Sequence, residues 1–285
     1  MCILMKAVLR RRLVKRIGVP VEQTTIYAGT VKTAYLSAGK GHPVVFVHGT
    51  GVGGITWAPI FGTLSTNFHL IAPDIVGYGE SDKPSAPYDR AFFCDWLRDF
   101  IDALGFFELS LVGSSQGGAI AVQFTLDQPD RVKSLVLVSP AGMSTKGIAL
   151  GVKLGMIWVY TLPSKVSVRW MARYVVNRPQ SPWTENLTKY FLEVIRSPGG
   201  RRVFWQGRGR AMRPFPTHLL RKIIHPTLVL WGERDLMLPL AHAERAKREI
   251  SKAQLYVIKH AGHAVPLDQP EAFCSLVGHF LSENT

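Results

Sequence analysis

The sequence predicts an α/β fold in which helices cover both faces of a mostly parallel sheet. Three observations indicate this fold. Short apolar segments of strand length alternate with segments of helical periodicity, which is typical of consecutive βαβ units. The short segments are apolar throughout, as expected for strands that are buried on both faces. One of them, 109–112, leads into a glycine- and serine-rich turn and then into a helix of small residues.

The predicted elements follow one another from the amino end to the carboxyl end. Two segments of alternating polarity, 23–27 and 31–37, predict an opening antiparallel hairpin. Parallel strands are expected at 44–48, 69–73, 109–112, 134–139, 226–232 and 254–258. Helices are expected near 57–64, 92–104, 116–127, 241–250 and 270–281. With 285 residues, 47% of them hydrophobic, the chain is long and apolar enough for one sheet-based domain with an insertion.

An insertion interrupts this alternation at 143–222. It is rich in Trp, Met and Arg, has helical periodicity and shows little strand alternation. Prolines divide it into short helices, because proline is not tolerated in a helix interior. These prolines are Pro163, Pro179, Pro182, Pro198, Pro214 and Pro216. The predicted organisation is a basic amphipathic N-terminal segment at 1–20, a core at 21–142 and 223–285, and the insertion at 143–222.

A predicted strand-to-helix turn at 113–117 has the sequence Gly-Ser-Ser-Gln-Gly. Its position after an apolar strand and before a small-residue helix predicts a nucleophile elbow. In such an elbow a serine adopts a strained backbone conformation, and glycines two positions before and two positions after it relieve the crowding. Ser115 has glycines at both of these positions, whereas Ser114 has valine and glutamine. Ser115 is therefore the predicted nucleophile.

Further motifs place a carboxylate and a histidine after predicted strands. Asp235 closes one apolar strand segment, and a second segment at 255–258 is followed by His263. Upstream, another strand runs into the sequence His-Gly-Thr-Gly at 48–51. With the chain order Ser, Asp, His, the sequence resembles the α/β-hydrolase superfamily over about residues 23–282. It is similar to serine esterases and lipases, including monoacylglycerol lipases, and to the carbon–carbon hydrolases of meta-cleavage products.

This resemblance implies an α/β-hydrolase fold with a mostly parallel eight-stranded sheet, in which the insertion is a helical cap. It implies that Ser115 is the nucleophile, that His263 is its base and that Asp235 orients His263. The implied oxyanion donors are the backbone N–H groups of Thr50 and Gln116. This chemistry requires no metal and no cofactor.

His260 and Glu233 compete for two of these roles. The family's motifs favour the other residue in each case. His263 lies in a loop with glycine directly before it and proline three positions after it, as in the family's catalytic-histidine loop. Asp235 ends the family pattern Trp-Gly-x-x-Asp, which leaves Glu233 as the alternative acid.

A serine nucleophile favours acyl chemistry, since relatives that open epoxides or displace halide attack with aspartate. The predicted function is hydrolysis of a carboxylic ester with a hydrophobic acyl group, such as a monoacylglycerol-like lipid, through an acyl-enzyme. Hydrolysis of a carbon–carbon bond in ring-cleavage products is an alternative, although those enzymes usually have tryptophan where this chain has Ala264. A thioesterase or methyl esterase acting on an acyl-carrier protein is another. A hydrolase-fold ligand receptor is the non-enzymatic alternative.

The cap is expected to select the substrate. It contains more apolar bulk than a thin helical layer needs for its own packing, so some of these side chains are expected to line an acyl pocket. The candidates are Met143, Leu150, Leu154, Met156, Ile157, Trp158, Met171, Phe204, Trp205 and Met212.

The net charge of +14 is concentrated in two parts of the chain. Residues 1–20 contain six Lys or Arg and no acidic residue, and residues 143–222 contain fifteen against Glu185 and Glu193. Such asymmetry favours an anionic partner, either a membrane surface or an acidic carrier protein. A nucleic-acid partner is not expected, because no reading motif accompanies the charge.

The N-terminal segment has Met5, Leu9, Leu13 and Ile17 at helical spacing. This spacing predicts a short amphipathic helix in a membrane interface, and a disordered basic tail is the alternative. Three cysteines without paired spacing, no secretory signal and no transmembrane run predict a cytoplasmic protein, with peripheral membrane attachment left open.

Overall fold

The computed structural model describes residues 2–143, 148–178 and 181–285, with side chains from Met5 onward. The strands are β1 (Glu22–Ala28), β2 (Val31–Ala38), β3 (Pro43–Val47), β4 (His69–Pro73), β5 (Leu109–Ser114), β6 (Val132–Val138), β7 (Thr227–Gly232) and β8 (Ala253–Ile258). Within the described residues they form one eight-stranded sheet of order β1-β2-β4-β3-β5-β6-β7-β8. The predicted strands are all present, and their ends agree within two residues, which confirms the predicted fold class.

The order in which successive strands are added to the sheet reverses at β3. Strands β1 and β2 form the predicted antiparallel hairpin and β2 is antiparallel to β4, whereas β4, β3, β5, β6, β7 and β8 are parallel to one another. The chain passes from β3 to β4 on one side and then returns to place β5 on the other side. Ligand sites in such sheets lie at the carboxyl ends of the strands where this reversal occurs. The loops after β3 and β5 are therefore the expected location of a site.

Helices cover both faces of the sheet. They are α1 (Cys2–Lys15), α2 (Ala58–Leu64), α3 (Arg90–Ala103), α4 (Gln116–Asp127), α5 (Leu150–Thr161), α6 (Lys165–Val175), α7 (Pro182–Arg196), α8 (Arg202–Gly207), α9 (Thr217–Leu220), α10 (Ala241–Glu249), α11 (Val265–Asp268) and α12 (Pro270–Glu283). Side chains alternate across β3: Val45 and Val47 belong to the core under α3, α4 and α10, and Val44 and Phe46 to the core under α2 and α12. Burial on both faces explains why the strands are apolar throughout.

The insertion is helical, as the sequence predicts. It contains α5, α6, α7, α8 and α9, and Pro163 and Pro182 lie at the helix boundaries. A third apolar cluster, which includes Val152, Val168 and Leu192, packs these helices against one another. Cap boundaries at 143 and 222 stay a prediction.

The N-terminal helix packs on the protein. Leu9, Leu13 and Ile17 are buried in the core under α2 and α12. On an adjacent part of the helix, Arg10 forms an ion pair with the buried carboxylate of Asp74 at 2.8 Å. The attraction of Asp74 and a hydrogen bond from Arg10 to Tyr190 outweigh the effect of burial and raise the pKa of Arg10, so the guanidinium stays charged.

This packing corrects the membrane role that the spacing of α1 predicts. Of the four apolar residues at the predicted spacing, Leu9, Leu13 and Ile17 lie inside the protein, because they complete the core beside α7, and Met5 is exposed. The alternative of a disordered tail also fails, because the segment is helical from Cys2. None of the helices in the described ranges has both the length and the apolarity needed to span a bilayer.

The Arg10–Asp74 pair is expected to hold α1 in place. Arg10→Ala leaves a buried carboxylate without its cation, and such a loss lowers the free energy of unfolding by about 3–5 kcal/mol. Urea unfolding of the purified protein measures this change. Arg11→Ala, on the exposed side of the same helix, is the matched control and is expected to stay within about 0.5 kcal/mol of the parent protein. Equal effects of the two substitutions would contradict a stabilising role of the pair.

Candidate active site

Ser115 occupies a strained turn between β5 and α4. Its backbone angles, φ 50° and ψ −116°, lie in a region that non-glycine residues rarely adopt. Its N–H donates to the Val138 carbonyl at 3.0 Å, and its own carbonyl accepts from the Ala141 N–H at 2.8 Å. These bonds attach the turn to the end of β6 and to the segment after it. Ser114, by contrast, is the last residue of β5.

The glycines on both sides of Ser115 are required by close backbone contacts. A Cβ at Gly117 would overlap the Val47 carbonyl oxygen at the end of β3. A Cβ at Gly113 would lie 2.6 Å from the Gly117 carbonyl oxygen. The elbow therefore has the register that the motif predicts, with the glycines flanking Ser115.

Asp235 and His263 meet at the ends of β7 and β8. Asp235 Oδ2 lies 2.8 Å from His263 Nδ1. Asp235 Oδ1 accepts hydrogen bonds from the N–H groups of Met237 and Leu238, at 2.8 and 2.9 Å. Burial raises the pKa of Asp235, but the attraction of His263 and these hydrogen bonds outweigh it, and the net pKa lies below its ordinary value. Asp235 is therefore held as a carboxylate that faces the imidazole.

The competing residues point elsewhere. Glu233 accepts a hydrogen bond from the backbone N–H of His260 at 3.1 Å, and its side chain is about half exposed. The His260 ring lies 3.0 Å from the Arg234 guanidinium. Neither residue contacts the Asp235–His263 pair through a hydrogen bond in the described part of the chain.

His263 keeps one ring nitrogen free. Its Nε2 atom is buried and has no hydrogen-bond partner among the described residues. Ser115 and His263 line the same cavity, together with Gly49, whose added Cβ would lie 3.0 Å from the Ser115 Cβ. An unpaired buried nitrogen in a cavity beside a serine is able to accept a proton from that hydroxyl or from a bound substrate.

Side-chain hydrogen bonds connect the loop after β3 to the start of α4. The Thr50 hydroxyl donates to Gln116 Oε1 at 2.9 Å, and the Tyr78 hydroxyl donates to the same oxygen at 2.8 Å. Gln116 is the first residue of α4, so its N–H has no acceptor within the helix. These bonds fix the relative positions of the two residues whose backbone N–H groups are predicted to bind an oxyanion.

His48 and Asp74 are buried beside this loop and form hydrogen bonds with the backbone around it. Burial lowers the pKa of His48 to about 4, so its ring is neutral at pH 7. Its Nε2 accepts a hydrogen bond from the Ile75 N–H at 2.9 Å. Asp74 accepts from the N–H groups of Gly54 and Glu80, at 2.7 and 2.8 Å, in addition to its ion pair with α1. Both residues therefore fix the backbone around the site.

Asp268 is a structural residue that the sequence motifs do not reveal. Its buried carboxylate accepts hydrogen bonds at 2.8 Å from the N–H groups of Gly262, directly before His263, and of Asn177. It also accepts from Arg178 at 2.9 Å. Asn177 and Arg178 follow α6, so one carboxylate joins the histidine loop to the cap. Asp268 lies in α11 outside any recognisable motif, so the sequence alone does not identify this role.

A cavity of about 670 Å³ lies between the cap and the carboxyl edge of the sheet. Its lining is mainly apolar, and Ser115 and His263 lie in its wall. Three of the predicted pocket residues, Met156, Met171 and Met212, line it. The others do not: Met143 is buried in the core, Phe204 stacks on Tyr160, and Leu150, Leu154, Ile157, Trp158 and Trp205 are exposed. Volumes of this size are typical of small-molecule sites.

Comparison with known proteins agrees with this architecture. The sequence matches the family model of the alpha/beta hydrolase fold over residues 42–270, most of the chain. The chain belongs to the α/β-hydrolase fold family. This confirms the resemblance inferred from the motifs.

Similar α/β hydrolases differ in their named activities. A 2-hydroxymuconate semialdehyde hydrolase of Pseudomonas sp. CF600 is 31% identical over 90% of this chain and 93% of its own length. A 2-hydroxy-6-oxo-2,4-heptadienoate hydrolase of Pseudomonas putida F1 is 32% identical over 90% of this chain and 95% of its own length. The solved structure of a membrane phospholipase A superposes with a TM-score of 0.86 and 25% identity, covering 99% of this chain and 92% of that chain. The two curated relatives agree better with the carbon–carbon alternative than with the predicted ester hydrolysis.

Substitution of the two adjacent serines tests the register of the elbow. Ser115→Ala is expected to abolish covalent labelling by a fluorophosphonate and to lower kcat on a soluble ester by about 10³-fold or more. Ser114→Ala, the matched control, is expected to keep most of the activity, because Ser114 ends β5 and precedes the turn. Loss of labelling in Ser114→Ala alone would move the nucleophile to that residue.

A second pair of variants tests the acid. Asp235→Asn is expected to lower kcat by about 10⁴-fold without unfolding the protein, because an amide stabilises the wrong tautomer of His263. Glu233→Gln removes a carboxylate of the same loop that accepts from the His260 N–H and pairs with Arg234 but makes no hydrogen bond to His263 within the described residues, and we expect near-parent activity. Steady-state kinetics and circular dichroism of both variants provide the measurement. A slower Glu233→Gln enzyme would reassign the acid.

Proposed function

We propose that this α/β hydrolase is a serine hydrolase that cleaves carboxylic esters with a hydrophobic acyl group. The observation that carries the proposal is the largely apolar cavity of about 670 Å³ that is lined by Ser115 and by His263, whose Nε2 has no hydrogen-bond partner among the described residues. Burial of an acyl chain there replaces water contacts with apolar contacts, at about 0.8 kcal/mol per methylene. Met156 and Met171 supply flexible thioether walls that adapt to such a chain.

The reaction starts with proton transfer from Ser115 to His263 Nε2 as the serine oxygen attacks the ester carbonyl carbon. Asp235 stabilises the imidazolium through the 2.8 Å contact at Nδ1. The backbone N–H groups of Thr50 and Gln116 stabilise the oxyanion. Collapse of this intermediate expels the alcohol, which takes the proton from His263 and leaves an acyl-enzyme. Water, activated by His263, then attacks the acyl-enzyme and releases the carboxylic acid.

Ester cleavage fits these residues because the leaving oxygen needs only the proton of His263. A carbon leaving group must be stabilised as an enolate, which requires polar groups that hold the substrate's own carbonyl and carboxylate oxygens. The family of carbon–carbon hydrolases that the motifs resemble usually has tryptophan after the catalytic histidine, whereas this chain has Ala264. The membrane phospholipase A of similar fold provides a precedent for an acyl ester as substrate.

Carbon–carbon bond hydrolysis is the second candidate. The two curated relatives, at 31% and 32% identity, are named for 2-hydroxymuconate semialdehyde and 2-hydroxy-6-oxo-2,4-heptadienoate, the kind of compound that this reaction cleaves. Lys153 and Arg208 line the cavity and have exposed side chains, so they are available to a substrate with a carboxylate, such as a dienoate. These observations give this candidate a specific basis.

One panel of substrates decides between the two functions. The purified full chain is assayed with p-nitrophenyl esters of increasing acyl length and with 2-hydroxy-6-oxo-2,4-heptadienoate, the substrate in the name of one relative. We expect ester turnover with an optimum above acetyl, abolished in Ser115→Ala, and a dienoate rate no greater than the rate without enzyme. Met171→Trp fills part of the cavity and is expected to shift the optimum to shorter acyl chains. A higher kcat/KM for the dienoate than for each ester would establish the second candidate and overturn the first.

A further inference from the structure

The cap has an unusual apolar outer surface. Leu150, Leu154 and Ile157 lie at i, i+4 and i+7 on one side of α5, and they are 70%, 56% and 46% exposed. Around the turn into α6, Leu162 and Val166 are each 66% exposed. We call these five residues the cap ridge. Contiguous exposed apolar side chains in a folded protein mark an interaction surface.

Helix α5 is apolar on two sides. Its inner side, with Val152 and Val159, is fully buried in the cap core, and Met156 lines the cavity. Its outer side carries the first three residues of the cap ridge. A helix that is hydrophobic all round is normally buried on all sides. The outer side of α5 therefore lacks a covering that its composition favours.

Basic side chains lie directly at the ridge. The guanidinium of Arg196 donates to the Pro163 carbonyl at 2.9 Å, and that of Arg201 donates to the Thr161 carbonyl at 3.4 Å. Thr161 ends α5 and Pro163 lies between α5 and α6, so both carbonyls are at the junction of the two parts of the ridge. Lys165 is exposed between Leu162 and Val166 in the sequence. Each of these three cations is exposed, and within the described part of the chain none of them forms an ion pair with a carboxylate.

We propose that the cap ridge docks this protein on a lipid bilayer that contains anionic phospholipid. Charge complementarity selects this occupant. A second copy of the chain seated on the ridge would bring Arg196, Arg201 and Lys165 of both copies together, and these like charges repel. A neutral apolar partner leaves the cations unpaired. Phospholipid phosphates pair with the cations while the ridge side chains enter the boundary with the acyl chains.

Docking in this orientation places the catalytic cavity near the bilayer. Val152, Met156 and Val159 form the opposite side of the same helix, and a helix with its side chains is about 10–12 Å across. Lipid-soluble molecules are concentrated in the bilayer, so a cavity at this distance meets them at a higher local concentration. The proposal depends on the ridge and its charges, and it holds for either candidate reaction.

Sedimentation of the full chain with vesicles tests the proposal. The vesicles contain phosphatidylcholine with or without phosphatidylglycerol. We expect binding to the anionic vesicles, and weaker binding as salt reduces the Debye length from about 10 Å at 0.1 M to about 3 Å at 1 M. Leu154→Ser with Ile157→Ser is expected to weaken binding at least tenfold. Lys165→Gln with Arg201→Gln removes two charges and is expected to weaken it by roughly 20- to 30-fold, since each base near the surface contributes about fivefold.

Matched controls separate the ridge from general surface properties. Phe107→Ser removes an apolar side chain that is 90% exposed but lies in the loop before β5. Lys40→Gln with Lys252→Gln removes two exposed charges that lie outside the cap, on the surface of the sheet domain. Both controls are expected to bind vesicles like the parent protein. All variants are expected to hydrolyse a short soluble ester at the parent rate without vesicles, because none of the substituted residues lines the cavity.

Several results would overturn the proposal. One is the absence of binding to either kind of vesicle, and another is equal binding by the ridge variants and the parent. Dimers in light scattering that dissociate in Leu154→Ser with Ile157→Ser would assign the ridge to a second copy. Binding of the ridge to an acidic acyl-carrier protein but not to vesicles would assign it to that partner. A failure of the proposed ester hydrolysis is distinguishable from these results, because it shows in the soluble assay without vesicles.

Discussion

The backbone conformation of Ser115 is the constraint on which the site depends. A non-glycine residue at φ 50° and ψ −116° costs on the order of 1–3 kcal/mol, so the surroundings must determine it. Two features determine it here. Backbone hydrogen bonds join Ser115 to Val138 and Ala141, and the absence of side chains at Gly113 and Gly117 allows the close backbone contacts of the turn. The strain holds the serine side chain away from β5 and over the cavity, beside the N-terminus of α4.

The sheet topology brings the other groups to the same edge. Strands β3 and β5 are parallel neighbours, with Val47 opposite Gly113, so the loops that follow them begin side by side. Asp235 and His263 come from loops after β7 and β8, which also end at this edge. Asp74 then holds the loop after β3 to the loop after β4 and, through Arg10, to α1. A site made of loops thus obtains its geometry from strand pairing and from one buried carboxylate.

Most of the fold was predictable because buried parallel strands are apolar throughout, and this signal survives without any knowledge of contacts. Asp235 was distinguishable from Glu233 for a different reason, since a motif fixes its distance from the end of β7. The partner of α1 was not predictable, because helical spacing shows that Leu9 and Leu13 share one side but not what covers it. Asp268 and Tyr78 were also missed, since their roles arise from contacts between distant segments and have no local sequence pattern.

In the cap, amino-acid composition alone does not predict which side of a helix is buried. An apolar helix with one polar side indicates its own orientation, but α5 is apolar on both sides, so Leu154 and Val152 are equivalent in the sequence. The structure separates them: Val152 packs in the cap, while Leu154 is exposed on the cap ridge. Asp268 connects this same cap to the loop of His263. One carboxylate therefore gives the segment after α6 a direct hydrogen-bonded connection to the loop that carries His263, a contact that no local sequence pattern indicates.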